Sequence, residues 1–190
     1  MAQVKDKGGS FSPQAAAVVA AIGGMAVGLM ANVGRKAVMQ GIEATYGDWD
    51  DMLKAEHQVV DKIFGKLLAT DESQTTKRKM LLMQLKHALA KHAQEEENVV
   101  YAAMRGQGLV EETDHLNHDH GYVEQYLFEL TELPPSDAAW LPKVREFQSR
   151  IDEHVREEED EIFPRLRAKL RADGNAHVTA AVNKEEFKAA

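Results

Sequence analysis

The sequence predicts an all-α protein: an up-down-up-down four-helix bundle of two pseudo-symmetric helix pairs, with an extra apolar N-terminal helix. Three observations predict it. Long stretches rich in Ala, Leu, Glu, Lys and Gln are broken by only five prolines, and aromatic residues make up 6%, which together favour helix. Apolar residues recur in steps of three and four, which holds them on one helical face. The middle of the chain also repeats itself, so one helix pair is followed by another of its kind.

Residues 1–47 combine a polar leader with a run that carries no charge from Gly8 to Gly34. Residues 15–33 are almost entirely Ala, Val, Gly, Met, Ile and Leu, and Arg35-Lys36 follows. The length approaches a membrane span, and Gly24-x-x-x-Gly28 suits close helix packing. Three readings stay open for it: a helix packed on the bundle or in a homodimer, a membrane contact, or a cleaved signal. The expected location is cytoplasmic, with membrane association if this segment is an anchor.

The bundle is expected over residues 48–172. A first helix runs from about Trp49 to Ala69 and breaks at Thr70-Asp71-Glu72-Ser73. The second runs from near Thr75 to Met104, with Gly106 and Gly108 as stop signals. The third spans roughly Thr113 to Thr131 and ends at Pro134-Pro135. Ser136 or Asp137 caps the fourth, which passes Ile162 before Pro164 kinks or finishes it. Gly174-Asn175 reads as a helix stop, and residues 173–190 as a C-terminal tail.

The repeat sets Glu56-His57-Gln58-Val59-Val60-Asp61 over Asp119-His120-Gly121-Tyr122-Val123-Glu124. It likewise sets His92-Ala93-Gln94-Glu95-Glu96-Glu97 over His154-Val155-Arg156-Glu157-Glu158-Glu159. The apolar stripes show where these residues point. Leu53, His57, Val60, Phe64 and Leu67 share a face; so do Leu82, Leu85, Leu89, His92 and Glu96. Leu116, His120, Val123, Leu127 and Leu130 form the third stripe, and Val144, Phe147, Ile151, His154, Glu158 and Ile162 the fourth.

His57, His92, Glu96, His120, His154 and Glu158 therefore occupy core-facing positions. An unpaired buried carboxylate costs several kcal/mol. The stripes contain no Lys or Arg, so a metal cation is the economical partner. His at i and Glu at i+4 lie one turn apart and reach one site. Two His and one Glu per repeat is the ligand set favoured by non-haem iron with open positions. A lone core histidine is usually only hydrogen-bonded, but the same pattern twice in register is not explained that way.

The order His57, His92-x-x-x-Glu96, His120, His154-x-x-x-Glu158 resembles the hemerythrin-like family, the HHE cation-binding domains, over residues 48–170. The Glu-Glu-Glu runs and Ile162-Phe163-Pro164 are similar as well. The resemblance implies that His57 and His92 bind one iron and His120 and His154 the other. Glu96 and Glu158 would bridge two oxo- or hydroxo-bridged iron ions, with zinc or manganese as alternative metals. One position departs from the oxygen-carrying members, which have a fifth histidine where this chain has Leu116. That leaves room for water, peroxide, nitric oxide or a replacement side chain, and His115 is the reserve ligand nearest the vacant position. The departure weakens reversible oxygen carriage and favours redox chemistry or sensing.

Other residues read as structural. His118 is expected to be solvated, Tyr101 and Phe163 to pack at the bundle end, and Trp49 and Trp140 to pack. Glu95, Glu97, Glu157 and Glu159 are expected to be solvated charges or partners of ligand histidines. The chain has no cysteine, which excludes disulfides and thiolate sites. A net charge of −8 without a dense Lys/Arg cluster argues against a nucleic-acid partner. The expected function is a non-haem di-iron protein that binds or reacts with a small oxidant (dioxygen, peroxide or nitric oxide) in redox sensing or stress defence. Alternatives are iron storage or buffering, and a bundle with a structural metal that acts as an interaction or membrane-associated module.

Overall fold

The computed structural model describes residues 47–189, so the apolar segment at residues 15–33 lies outside the described residues. Six α-helices follow in order: α1 (Trp49–Leu68), α2 (Thr75–Glu95), α3 (Tyr101–Gly106), α4 (Val110–Glu132), α5 (Trp140–Glu157) and α6 (Phe163–Ala189). One π-helical turn, Glu96–Val100, joins α2 to α3 without a break, and another, Glu158–Ile162, joins α5 to α6. Helices α1, α2, α4 and α5 form a closed ring in which each packs on two neighbours. This is the four-helix bundle expected from the stripes. No helix among the described residues is long and apolar enough to cross a membrane.

Two apolar clusters fill the bundle, one at each end. Trp49, Leu53, Met104, Leu116, Phe163 and Leu166 belong to the first. Phe64, Leu85, Leu130, Trp140, Phe147 and Ile151 belong to the second. Each bundle helix crosses from one cluster to the other at its histidine: Leu53–His57–Val60 on α1, and Ile151–His154 on α5 continued by Ile162 of the following π-turn, are examples. The polar groups therefore form one layer between two dry plugs.

The connections follow local chemistry. Asp71 Oδ1 accepts the Ser73 amide at 2.9 Å in the first turn. Gly108 adopts φ +77, a conformation that ends α3 where a side chain would be strained. Asp137 Oδ1 accepts the Ala139 amide at 2.8 Å just before α5. At that end Arg78, 2% exposed, donates from Nε to Thr70 Oγ1 at 2.9 Å and from Nη1 to the Pro135 carbonyl. Its guanidinium lies over the Trp140 ring at 5.1 Å. One buried cation thus ties together the α1–α2 and α4–α5 loops.

The end of the chain differs from expectation in two ways. Pro164 neither ends nor kinks its helix, because it is the second residue of α6 and follows a turn whose Phe163 amide already reaches back five residues to the Glu158 carbonyl. The regular i→i−4 ladder is already interrupted there, so the missing proline N–H removes little. The break instead falls at Arg171 (φ 56), and helix continues to Ala189. Gly174-Asn175 is the cushion of this bend and not a stop. A Cβ on Gly174 would meet Leu170 Cβ at 3.0 Å, and Asn175 Nδ2 donates to the Arg167 carbonyl at 2.9 Å. Trp49 Nε1 donates to Asn175 Oδ1 at 2.9 Å, while Val178 and Val182 are buried in the first cluster. Residues 172–189 are thus helical and packed on α1 and α2.

Candidate metal centre

All six residues singled out on the stripes come together in the polar layer. Ligand-type atoms of His57, His92, Glu96 and Glu158 lie within 4.8 Å of one another, as do those of Glu96, His120 and His154. Glu96 belongs to both groups. Glu158 spans them as well, with Oε2 at 3.4 Å from His57 Nε2 and Oε1 at 3.3 Å from His154 Nε2. Glu96 Oε2 lies 3.3 Å from both His92 Nε2 and His120 Nε2. Both carboxylates are fully buried.

The outer nitrogens decide which way the imidazoles face. His57 Nδ1 donates to Glu159 Oε1 at 2.7 Å, His92 Nδ1 to Glu56 Oε2 at 2.9 Å, and His120 Nδ1 to Glu97 Oε1 at 2.8 Å. His154 Nδ1 faces Asp119 Oδ2 at 3.7 Å. The carboxylates obey the repeat: the residue before the first histidine serves the second (Glu56, Asp119). The residue after the shared glutamate serves the histidine of the opposite half (Glu97, Glu159). A proton held on Nδ1 by a carboxylate leaves Nε2 with a lone pair aimed at the centre.

The centre fits a cation. His57 Nε2 and His92 Nε2 face each other at 3.0 Å while both Nδ1 atoms are engaged by carboxylates, so a shared proton or a metal cation has to sit between them. Glu96 Oε1, Glu158 Oε2 and His154 Nε2 are buried without a hydrogen-bond partner. Donor separations of 3.0 to 3.4 Å match neighbouring ligands of one ion with bonds of about 2.1 Å. Electrostatics agree: burial and the neighbouring Glu158 carboxylate push Glu96 well above its usual range. Burial pushes Glu158 up too, but the His154 and His57 imidazoles outweigh it and hold Glu158 at about 2. Two carboxylates that cannot both ionise comfortably are relieved by a metal.

Several expectations change here. Tyr101 is no mere packing residue, since its phenolic oxygen lies 3.1 Å from His120 Nε2, 3.4 Å from Glu158 Oε1 and 3.5 Å from Glu96 Oε2. Phe163, its repeat equivalent, stacks on His57 with centroids 6.2 Å apart. His115 stands away from the buried centre: it is 54% exposed and turns outward to Glu157 Oε2 at 3.2 Å. His118 edges the Tyr122 ring and stays outside the centre. Among the four flanking glutamates, Glu97 and Glu159 anchor ligand-type histidines, whereas Glu157 meets His115. Glu95 lies 2.8 Å from Lys91 Nζ and is raised to about 8, burial outweighing the lysine. Glu56 and Asp119 were visible as a repeated acid but not as histidine partners.

Space next to the centre is small. A cavity of about 20 Å³ adjoins the four imidazoles and is walled by Val60, Leu89, Val123 and Ile151, room for little more than one water-sized molecule. A groove of about 390 Å³ between α2 and α4 shares Leu89, Ala93, His120 and Val123 with it.

Comparison with known proteins places this geometry. A DNA nickase of Nostoc sp. is 27% identical over 157 residues; the match covers 81% of this chain but only 42% of that protein. The solved structure of a hemerythrin HHE cation-binding domain-containing protein from Mycobacterium kansasii superposes with a TM-score of 0.62 at 18% identity. It covers 74% of this chain and 88% of the other. The model of the hemerythrin HHE cation-binding domain matches residues 49–166, which contain all six stripe residues and both π-turns. With that match over most of its length, the chain belongs to the hemerythrin HHE cation-binding domain family.

Proposed function

We propose that the chain holds two iron ions in the His57/His92 and His120/His154 halves of the layer and presents them to a small oxidant: dioxygen, peroxide or nitric oxide. The observation that carries the reading is the pair of donor sets that share Glu96 and Glu158 while Nδ1 carboxylates pin the imidazoles. Two nitrogens and shared carboxylates per ion form a nitrogen–oxygen set without thiolate, which suits iron better than soft-ligand metals. Bound iron would supply the redox chemistry. The protein's part is to fix the imidazoles, to supply two negative charges, and to exclude water with two apolar plugs. The small cavity beside the imidazoles selects ligands of a few atoms.

That size limit supports a role in redox sensing or stress defence. Storage or buffering is disfavoured because the layer is buried and its ligands are anchored, so exchange should be slow. The Nostoc relative raises DNA nicking as a second reading, but the net charge of −8 gives the phosphate backbone little to bind. Metal analysis with near-ultraviolet and visible spectra, before and after peroxide, tests the proposal. About two irons per chain are expected, with a visible signature that His92→Ala and His154→Ala each remove. One zinc per chain without visible absorption overturns it.

A further inference from the structure

The two halves of the centre differ at one position, and that difference is chemical. Across the repeat, Tyr101 and Phe163 each begin the helix that follows a π-turn. Tyr101 lies five positions after Glu96, and Phe163 five positions after Glu158. In an α-helix a residue five positions on lies well off the face of the first. Across a turn with i→i+5 bonding it returns to that face. The Tyr101 amide reaches back to the Glu96 carbonyl, and the Phe163 amide to the Glu158 carbonyl. Each π-turn therefore aims a bridging-type glutamate and a ring at the same layer. Only one ring carries an oxygen.

We propose that Tyr101 is a further protein ligand, through its phenolic oxygen, of the metal in the His120/His154 half, while the His57/His92 half keeps the position open to a small ligand. The proposal rests on the iron reading above. Tyr101 is 2% exposed, and its oxygen lies within 3.5 Å of an imidazole nitrogen and two carboxylate oxygens of the candidate set. Those neighbours are the donors that would surround a metal there. The ring is tilted against His120 with centroids 5.4 Å apart, so oxygen and Nε2 point into the same space. Leu116, one turn before His120 on α4, is fully buried in the same apolar cluster as Tyr101 and offers no donor atom. Tyrosine oxygen is an established iron ligand in other settings. Ligation exchanges the O–H bond for an O–metal bond and releases one proton to solvent. On the other half Phe163 lies flat against His57 and offers only carbon.

The test uses the full chain loaded with iron(II) and oxidised in air, followed by iron analysis, visible absorption and resonance Raman spectroscopy. Wild type should show a phenolate-to-iron(III) absorption with phenolate vibrations under it. Tyr101→Phe should lose both, and Phe163→Tyr should strengthen the absorption. Two irons per chain without phenolate vibrations in wild type overturn the proposal and leave the di-iron reading standing. A wild-type chain that takes up no iron overturns both. The wild-type Raman spectrum decides even if a variant fails to fold.

Discussion

Glu56 sits outside the layer, yet it governs how His92 presents its nitrogen. Burial would raise its carboxyl, but His92 and Lys91 outweigh burial and hold it at about 2, so it is a permanent anion beside His92 Nδ1. Glu56→Gln keeps the shape and removes the charge. Iron affinity measured by competition with a chelator should fall roughly 10- to 100-fold, the usual effect of losing such a partner. An unchanged affinity would mean that the 2.9 Å contact does not orient the ligand. At this scale the sequence was legible where a single helical face carried the signal. His57, His92, Glu96, His120, His154 and Glu158 all lie on uninterrupted stripes. Glu56 and Asp119 were hidden because an acid one residue before a histidine looks like solvated charge. Only the partner helix, distant in sequence, turns it into an anchor.

The π-turns are the element on which the centre depends. They fall at the same place in both halves, although Pro164 in the second corresponds to Ala102 in the first, so proline does not cause them. Stripes drawn in α-helical steps of three and four lose register just past Glu96 and Glu158. That is why Tyr101 and Phe163 read as end packing. Helix positions were otherwise legible to within a few residues, because Gly108, Asp137 and the Thr70–Ser73 break act locally. Deleting the exposed Asn98 removes the extra residue of the first turn. Circular dichroism should still report a helical protein, but the rotation between Glu96 and Tyr101 should cut iron content to about one per chain or less. Retention of two irons with an unchanged spectrum would show that the turn is dispensable.

On the scale of the whole molecule, the C-terminal half of α6 closes the end of the bundle that the first cluster fills. Gly174-Asn175 is a stop signal in isolation, and the docking of Trp49 on Asn175 and Thr179 that overrides it is a long-range event. Ending the chain at Leu170 would expose Trp49 and remove Val178 and Val182. Two buried valines and two hydrogen bonds together contribute about 4 kcal/mol. Tm should therefore drop by roughly 10 °C in a thermal melt. A drop of a degree or two would mean that the helix is not docked in solution.

The repeat also has a meaning for symmetry. Two identical halves meeting as a homodimer must place the same ring on both sides of a shared centre, two phenols or none. Joining the halves in one chain removes that constraint. Tyr101 and Phe163 can then diverge while the four histidines and the two shared glutamates keep their equivalent places in both halves. A covalent tandem can therefore carry a phenol oxygen in one half and only ring carbon in the other, which an exact twofold assembly of either half could not do.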